Sequence, residues 1–524
     1  MIQKTALLLR TARYLKWRQI YFRIHYQARD KFRALRKFRY PQSIEKKSVP
    51  LKFAQLLANR QSYRDGEFAF INRSKRFSGG IDWHFNKYGK LWSYNLNYFD
   101  FLNQEELSKE EGLKLIEDFL NKIGMNKIGM EPYPISLRII NWVKFLVRAG
   151  ARDESIDGCL YAQARVLLDN LEYHLMGNHL LENGFALLFA GLYFNDRVLY
   201  SRAREILTDE LDEQIMDDGA HFELSPMYHQ ILLFRLLDAI NLLRDNASLK
   251  REMLEIFGVK ASRMLGWLNR MTFNNGDIPL LNDSAYNIAP DTARLNAYAA
   301  RLGVKAPFVE LGVSGYRKIE RPKYEMVADI GNIGPDYIPG HAHSDTFSFV
   351  LHAGGRPFIV DTGTSTYESG PMRNYQRSTA AHNTVTVEDK EQSEMWGSFR
   401  VGGRARVQDA NESDNFISAT HNGYARMGAL HTRSFEFGDE KITVSDSVNS
   451  SRDCRCRAYF HFHPLIRPVM DGDTVVADGM KIRFSGSRSI DLTHYDYAPE
   501  FNMAIKAPMA VVSFHKILKT ELFL

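Results

Sequence analysis

From about residue 105 to 310, apolar side chains recur at i, i+3 and i+4, the spacing that lines one face of a helix. The stretches LKLIEDFLNKIG, SLRIINWVKFLVRAG, CLYAQARVLLDNLEYHLMG, GFALLFAGLYF and PMYHQILLFRLLDAINLLR all carry it. Gly177 predicts the end of one such helix, because glycine accepts the left-handed turn that follows a helix C-terminus. Ser225-Pro226 predicts the start of another, with serine as the cap and proline in the first turn. Successive helices with short connections predict a bundle or a toroid. From about residue 324 the texture changes. YEMVADIG, TFSFVLHAG, RPFIVDTG, HNTVTVED, KITVSDSV and CRAYFHFHP are short, β-rich and separated by Gly, Asp and Asn, which predicts an antiparallel β-sandwich. Within it, GHAHSDTFSF (340–349) predicts a strand. Side chains alternate on a strand, so one face would carry His341, His343 and Asp345 before turning apolar at Phe347 and Phe349. The organisation expected is a basic helical arm over 1–50, a helical domain over 51–318 and a sandwich over 319–524.

Four polar islands interrupt these patterns. In LMGNHLLENG, Asn178, His179 and Asn183 make a polar corner at one end of the helical array, where clefts form. In DGAHFELSPMYHQ, Tyr228 falls in the first turn of the helix opened by Ser225-Pro226, where the helix dipole favours a phenolate and a proton-carrying role. His221, Glu223 and His229 crowd the same dozen residues. The third island is GHAHSD itself. The fourth, FIVDTGTSTYESGPMRNYQRSTAAHNTVTV, ends one strand at Asp361 and begins another at His382-Asn383, with Tyr375 and Arg377 between. Two histidines and a carboxylate from neighbouring strands would suit a divalent metal, zinc first.

Charge and composition narrow the function classes. Residues 1–40 hold twelve Lys and Arg against one acid, Asp30, so this segment carries +11 of a whole-chain +6 and the remainder is −5. The bulk is no polycation, and nucleic acid is not the expected partner. The arm reads first as a solvated amphipathic helix docked through Leu15, Tyr21 and Phe22; the alternative is contact with an anionic membrane surface or a polyanionic glycan. Three cysteines make no disulfide framework. No stretch reaches the roughly 18 apolar residues of a membrane span. The start MIQKTALLLRTARYLK is interrupted by Arg10 and lacks a small-residue cleavage site, so it makes a poor secretory signal.

The islands occur in an order that resembles one family. GNHLLENGFAL and DGAHFELSPMYH in the helical half, GHAHSDTFSF, PFIVDTGT and AHNTVTV in the β half, and EPYPISLRIINW upstream are similar to the heparinase II/III and alginate-lyase group of polysaccharide lyases, over roughly residues 80 to 465. The resemblance implies an incomplete (α/α) toroid followed by an antiparallel β-sandwich, with the cleft between them. It implies β-elimination on a uronic-acid-containing polysaccharide, leaving an unsaturated uronate and needing no organic cofactor. Residue by residue it implies Asn178 as the group that neutralises the uronate carboxylate, assisted by His179, with Tyr228 and His341 as proton-transfer residues. It implies a structural Zn²⁺ on His343, Asp361 and His382. Glu223, His229, Tyr375 and Arg377 are expected to bind substrate. The family's compartment is the cell envelope or periplasm, whereas a chain without an export signal would stay in the cytoplasm, and the basic start resembles relatives tied to surface-polysaccharide assembly. The alternatives are a uronyl epimerase, a glycoside hydrolase working through two of Glu182, Glu223 and Asp283, and a non-catalytic glycan-binding or assembly protein.

Overall fold

The structure is a computed structural model and describes residues 2–246 and 251–524. Two helices, Ile2–Ala12 and Trp17–Leu35, lead into a small three-stranded sheet over residues 63–76. Helices then follow one another from Lys90–Tyr98 to Thr292–Arg301. The helix Gly177–Tyr193 is buried almost all round and packs on Pro132–Arg148, Glu154–Asp169, Arg197–Gln214 and Pro226–Asn246. That burial explains why its sequence lacks a polar stripe.

Among the described residues the β half is built on two main sheets, with a two-stranded ribbon of Met395–Trp396 and Arg400–Val401 beside them. The smaller is antiparallel, in the order Tyr316–Arg321, Tyr324–Asp329, Phe349–Ala353, Arg356–Ile359. The larger runs through Ala429–Phe437, Lys441–Ser450, Ile505–Phe523 and Met480–Tyr497, with Cys456–His461 pairing to Ile505–Phe523 and to Val385–Val387. Phe349, Leu351 and Phe358 of the small sheet meet Phe435, Val444, Phe460 and Val512 of the large one in a single apolar core. The other face of the small sheet, through Tyr316, Val327 and Val350, packs on Trp267, Met271 and Phe273 at the end of helix Arg251–Met271. The small sheet is therefore a middle layer. This is why every residue of Tyr324–Asp329 is buried, whereas Ala429–Phe437 alternates inward and outward.

Two local expectations change. The strand expected across 340–349 begins only at Phe349; His341–Ser348 is turn and loop. The Ser348 N–H closes back on the Asp345 carbonyl at 2.8 Å, and Phe347 sits at φ 69°. Gly177 opens a helix instead of closing one. The preceding helix stops at Asp169, and turns occupy residues 170–176.

Candidate active site

The helical half supplies one wall. Gly177 has φ +58°, and a Cβ there would stand 2.7 Å from Glu223 Oε1 and 2.9 Å from Ile338 Cδ1. Glycine thus lets the Glu223 carboxylate reach the N-terminus of helix Gly177–Tyr193, where the dipole favours an anion. The Asn178 backbone N–H donates to Glu223 Oε1 at 2.9 Å, and Asn178 Nδ2 donates to its two oxygens at 3.0 and 3.1 Å. His179, next along, bonds Glu172 through Nδ1 at 3.0 Å, stacks near Tyr133 and keeps part of its ring open to solvent. Burial opposes charge on His179, but the Glu172 carboxylate outweighs it and raises the imidazole's pKa.

Tyr228 enters from helix Pro226–Asn246. Ser225 caps that helix as expected, its Oγ accepting from the Tyr228 N–H at 3.2 Å and donating to the Asp283 carbonyl at 2.7 Å. The cap therefore ties the tyrosine to the loop that carries Asp283. The phenolate expectation is reversed. Burial, with the Asp283 and Glu223 carboxylates nearby, raises the phenol above its ordinary value and favours its neutral form.

The β half supplies the opposite wall. The His341 ring stacks on Tyr228 with centroids 3.8 Å apart. Its Nδ1 lies 2.9 Å from Asp283 Oδ2, and its Nε2 lies 3.5 Å from Asn178 Nδ2 and 3.4 Å from Glu223 Oε2. Asp283 is the hub. It is fully buried, takes His343 Nε2 at 2.9 Å and is held by both arms of Arg373, with Nη2 at 2.7 Å. Burial alone would raise the Asp283 carboxyl, yet Arg373 and the two imidazoles outweigh it and hold it well below the usual carboxylate range. An ionised Asp283 accepts the Nδ1–H of His341. That leaves Nε2 of the same ring facing Asn178 and Glu223. Arg373, from the short helix Pro371–Gln376, also lies against Tyr367 and Phe399, and the Tyr367 hydroxyl donates to that of Tyr228 at 3.3 Å.

The sequence pattern does not single out Arg373, and it offers Asp283 only as one of three hydrolase carboxylates. The signal was thin: one arginine four residues before the chosen Arg377, and one aspartate in NDS far from the histidines it serves. As a hydrolase carboxylate Asp283 has no free oxygen, and Glu182 is buried against Arg235 at 2.8 Å, so that alternative loses two of its three groups. Other expected residues lie elsewhere. His229 is a core histidine, its Nε2 donating to the Met264 carbonyl at 2.9 Å, its ring on Trp267, and burial lowering it to about 4. Arg377 is fully buried and spends its guanidinium on the carbonyls of Ala342 and Gly397; it props the loop carrying His341 and touches no cleft. Tyr375 sits near Tyr459, Asp496 and Asp361, behind the loop, with burial raising it to about 12.

The zinc set is gathered only in part. His343 and His382 lie with ring centroids 5.2 Å apart, and His343 Nδ1 and His382 Nε2 are buried without a hydrogen-bond partner. That donor chemistry suits a cation. However, His382 turns Nδ1 to Asp361 Oδ2 at 2.7 Å and His343 turns Nε2 to Asp283. Among the described residues no three His, Cys, Asp or Glu converge on a metal position. As placed, these residues do not form a complete ligand set.

A cavity of about 650 Å³ opens elsewhere, between helix Trp17–Leu35 and helix Arg197–Gln214. It contains none of the converging groups. The junction of the two halves is where titratable chemistry meets, and we take that as the site.

Heparinase II/III N-terminus matches residues 158–301, and Heparinase II/III-like, C-terminal matches residues 303–521. The chain belongs to the heparinase II/III-like family. It is 21% identical over 389 residues to a heparin-sulfate lyase of Bacteroides stercoris, covering 67% of this chain and 57% of that protein. It is 25% identical over 297 residues to a heparin-sulfate lyase of Pedobacter heparinus, covering 51% and 43%. The chain thus spans about half the length of these relatives. It is also 24% identical over 433 residues to the FtsZ-localized protein C of Caulobacter vibrioides, covering 74% and 73%. Among solved structures, a heparinase III aligns with a TM-score of 0.64 at 16% identity, over 86% of this chain and 80% of that one. A heparan sulfate lyase mutant from Pedobacter heparinus aligns with a TM-score of 0.58 at 18% identity, over 87% and 81%. These likenesses establish the fold, a helical toroid followed by an antiparallel sandwich.

Proposed function

We propose that the protein is a polysaccharide lyase that cleaves a uronic-acid-containing glycan by β-elimination. The observation that carries it is the meeting of Asn178 Nδ2, His341 Nε2 and the Tyr228 ring around one point, with an ionised Asp283 behind the imidazole. The reaction needs a base on the proton at ring carbon five, donors on the adjacent carboxylate and an acid on the leaving oxygen. His341 Nε2 takes the proton. As the C5–H bond breaks, charge moves onto the carboxylate, where Asn178 and the positively biased His179 donate; one such donor is worth roughly 3–4 kcal/mol. The C4–O bond then breaks, the C4–C5 double bond forms, and the neutral Tyr228 phenol protonates the departing glycosidic oxygen. Asp283 holds the His341 tautomer and stabilises the imidazolium, and Arg373 keeps Asp283 ionised.

Asn178 Nδ2 gives its hydrogens to the two oxygens of Glu223, so the uronate carboxylate would take over one of those bonds. The named lyase activity of the two heparin-sulfate lyases favours a sulfated glycosaminoglycan as the substrate class. The same geometry would serve a uronyl epimerase, which returns the proton to the opposite face without expelling the leaving group. Mass spectrometry of a heparan sulfate digest in deuterated solvent separates the two. Lyase action gives chain fragments that lack the mass of one water relative to hydrolysis products. Deuterium at C5 with intact chains would reject the lyase reading and select the epimerase.

A further inference from the structure

We infer that helix Trp17–Leu35 is a membrane-surface element that seats the protein on an anionic phospholipid bilayer. One face of the helix is docked. Phe22 stacks on Tyr173 with centroids 4.6 Å apart, Gln19 Nε2 donates to the Leu175 carbonyl, and the Tyr26 hydroxyl donates to the Leu171 carbonyl. Tyr21 does not dock with them, contrary to expectation. It belongs to a second apolar face. Trp17, Tyr21, Ile24, Phe32 and Leu35 are spaced by three and four residues, with Ala28 between, so they form one stripe at 3.6 residues per turn. All five large side chains are at least half exposed, Trp17 at 74% and Leu35 at 84%. Leu8 and Leu9 extend the exposed apolar surface onto helix Ile2–Ala12. Eight of the 21 large hydrophobics that stand exposed among the described residues thus fall in the first 38 positions of a 524-residue chain. Scattered exposed leucines need no explanation, but a continuous stripe along five turns of helix does.

Charge decides what covers it. Lys31, Lys37 and Arg39 are exposed and make no ion pair among the described residues, and Arg36 lies over the Phe32 ring. Aromatic and aliphatic side chains at the apolar centre with cations at the edge are what an in-plane helix needs to bury its stripe at the acyl boundary and meet anionic headgroups. A polyanionic glycan would use the cations but leave the apolar stripe in water. A second copy of the chain would bring one +11 arm against another. The arm is also anchored to both halves of the molecule. Arg10 pairs with Glu394 of the β half at 2.7 Å, and Arg33 with Asp169 of the helical half at 2.7 Å, so the stripe is presented on a fixed platform.

Flotation of the full chain with phosphatidylcholine vesicles, with and without phosphatidylglycerol, tests this. The wild type should float with the anionic vesicles, less so as salt rises. Ile24→Glu/Leu35→Glu should lower the bound fraction at least ~10-fold, because two charges then face the acyl boundary. Lys31→Glu/Lys37→Glu/Arg39→Glu should lower it and remove the salt dependence. All the substituted positions point outward, and circular dichroism should match the wild type. Absence of flotation by the wild type, or flotation unchanged in Ile24→Glu/Leu35→Glu, would overturn the inference. So would binding to heparin beads alone, or a concentration-dependent dimer that Ile24→Glu/Leu35→Glu abolishes without any vesicle binding.

Discussion

At the residue scale the site depends on groups whose charge is set by what they touch. Tyr228 makes one hydroxyl contact, to Tyr367, so Tyr228→Phe should keep the fold and lower kcat by about 10²–10⁴-fold. Steady-state kinetics beside a thermal melt would check both halves of that expectation. Asp283 is different, because it holds up its neighbours. Asp283→Asn leaves the buried Arg373 guanidinium without its counter-charge, and losing one partner of a buried pair costs about 3–5 kcal/mol. Urea unfolding should show that loss together with a fall in activity. Asp446 offers a test by pH. Burial opposes its ionisation, but Arg433 and His431 hold it down to about 2, below the ~3.9 of an unfolded aspartate. A depressed folded-state value contributes stability that is complete above about pH 4 and is lost as pH falls towards 2. Stability measured across that window should fall less steeply in Asp446→Asn than in the wild type, from a lower starting point.

At the element scale, backbone placement decides the site. Gly177→Ala forces an alanine into φ +58° and puts its Cβ 2.7 Å from Glu223 Oε1. The left-handed conformation costs about 1–2 kcal/mol, and the displaced Glu223 should turn Asn178, so activity should fall further than the melting temperature suggests. An assay of kcat/KM beside a denaturation curve would show the two separating. The helices from residue 105 onward and the β texture after 324 could be read from periodicity because burial there follows one face or alternates. His341–Ser348 could not. Its i, i+2 pattern mimics a strand, while Phe347 at φ 69° and the Asp345–Ser348 turn come from contacts with Asp329 and the large sheet. His341 and His343 still converge, but on Asp283, a residue 58 positions upstream of the first of them. No local pattern encodes that meeting. For the same reason the pattern points to Arg377 as a subsite residue and not to Arg373: both lie in one short segment, and only packing shows which guanidinium holds Asp283.

At the scale of the whole molecule, the helical half and the β half each hold an incomplete set. Asn178, Glu223, Tyr228 and Asp283 come from the first, His341 and Arg373 from the second. The layer between them, the small sheet buried on both faces, fixes their separation. No helix among the described residues is long and apolar enough to cross a membrane. The central claim is elimination at this junction. It is tested most directly by following near-UV absorbance while the protein acts on a panel of uronate polymers that includes heparan sulfate, chondroitin sulfate and alginate. The account predicts a rising signal of the conjugated product with at least one sulfated glycosaminoglycan, reduced about 10²-fold or more in Tyr228→Phe and in His341→Ala. A flat trace with every polymer from a folded protein, or a rise that both variants reproduce in full, would contradict it.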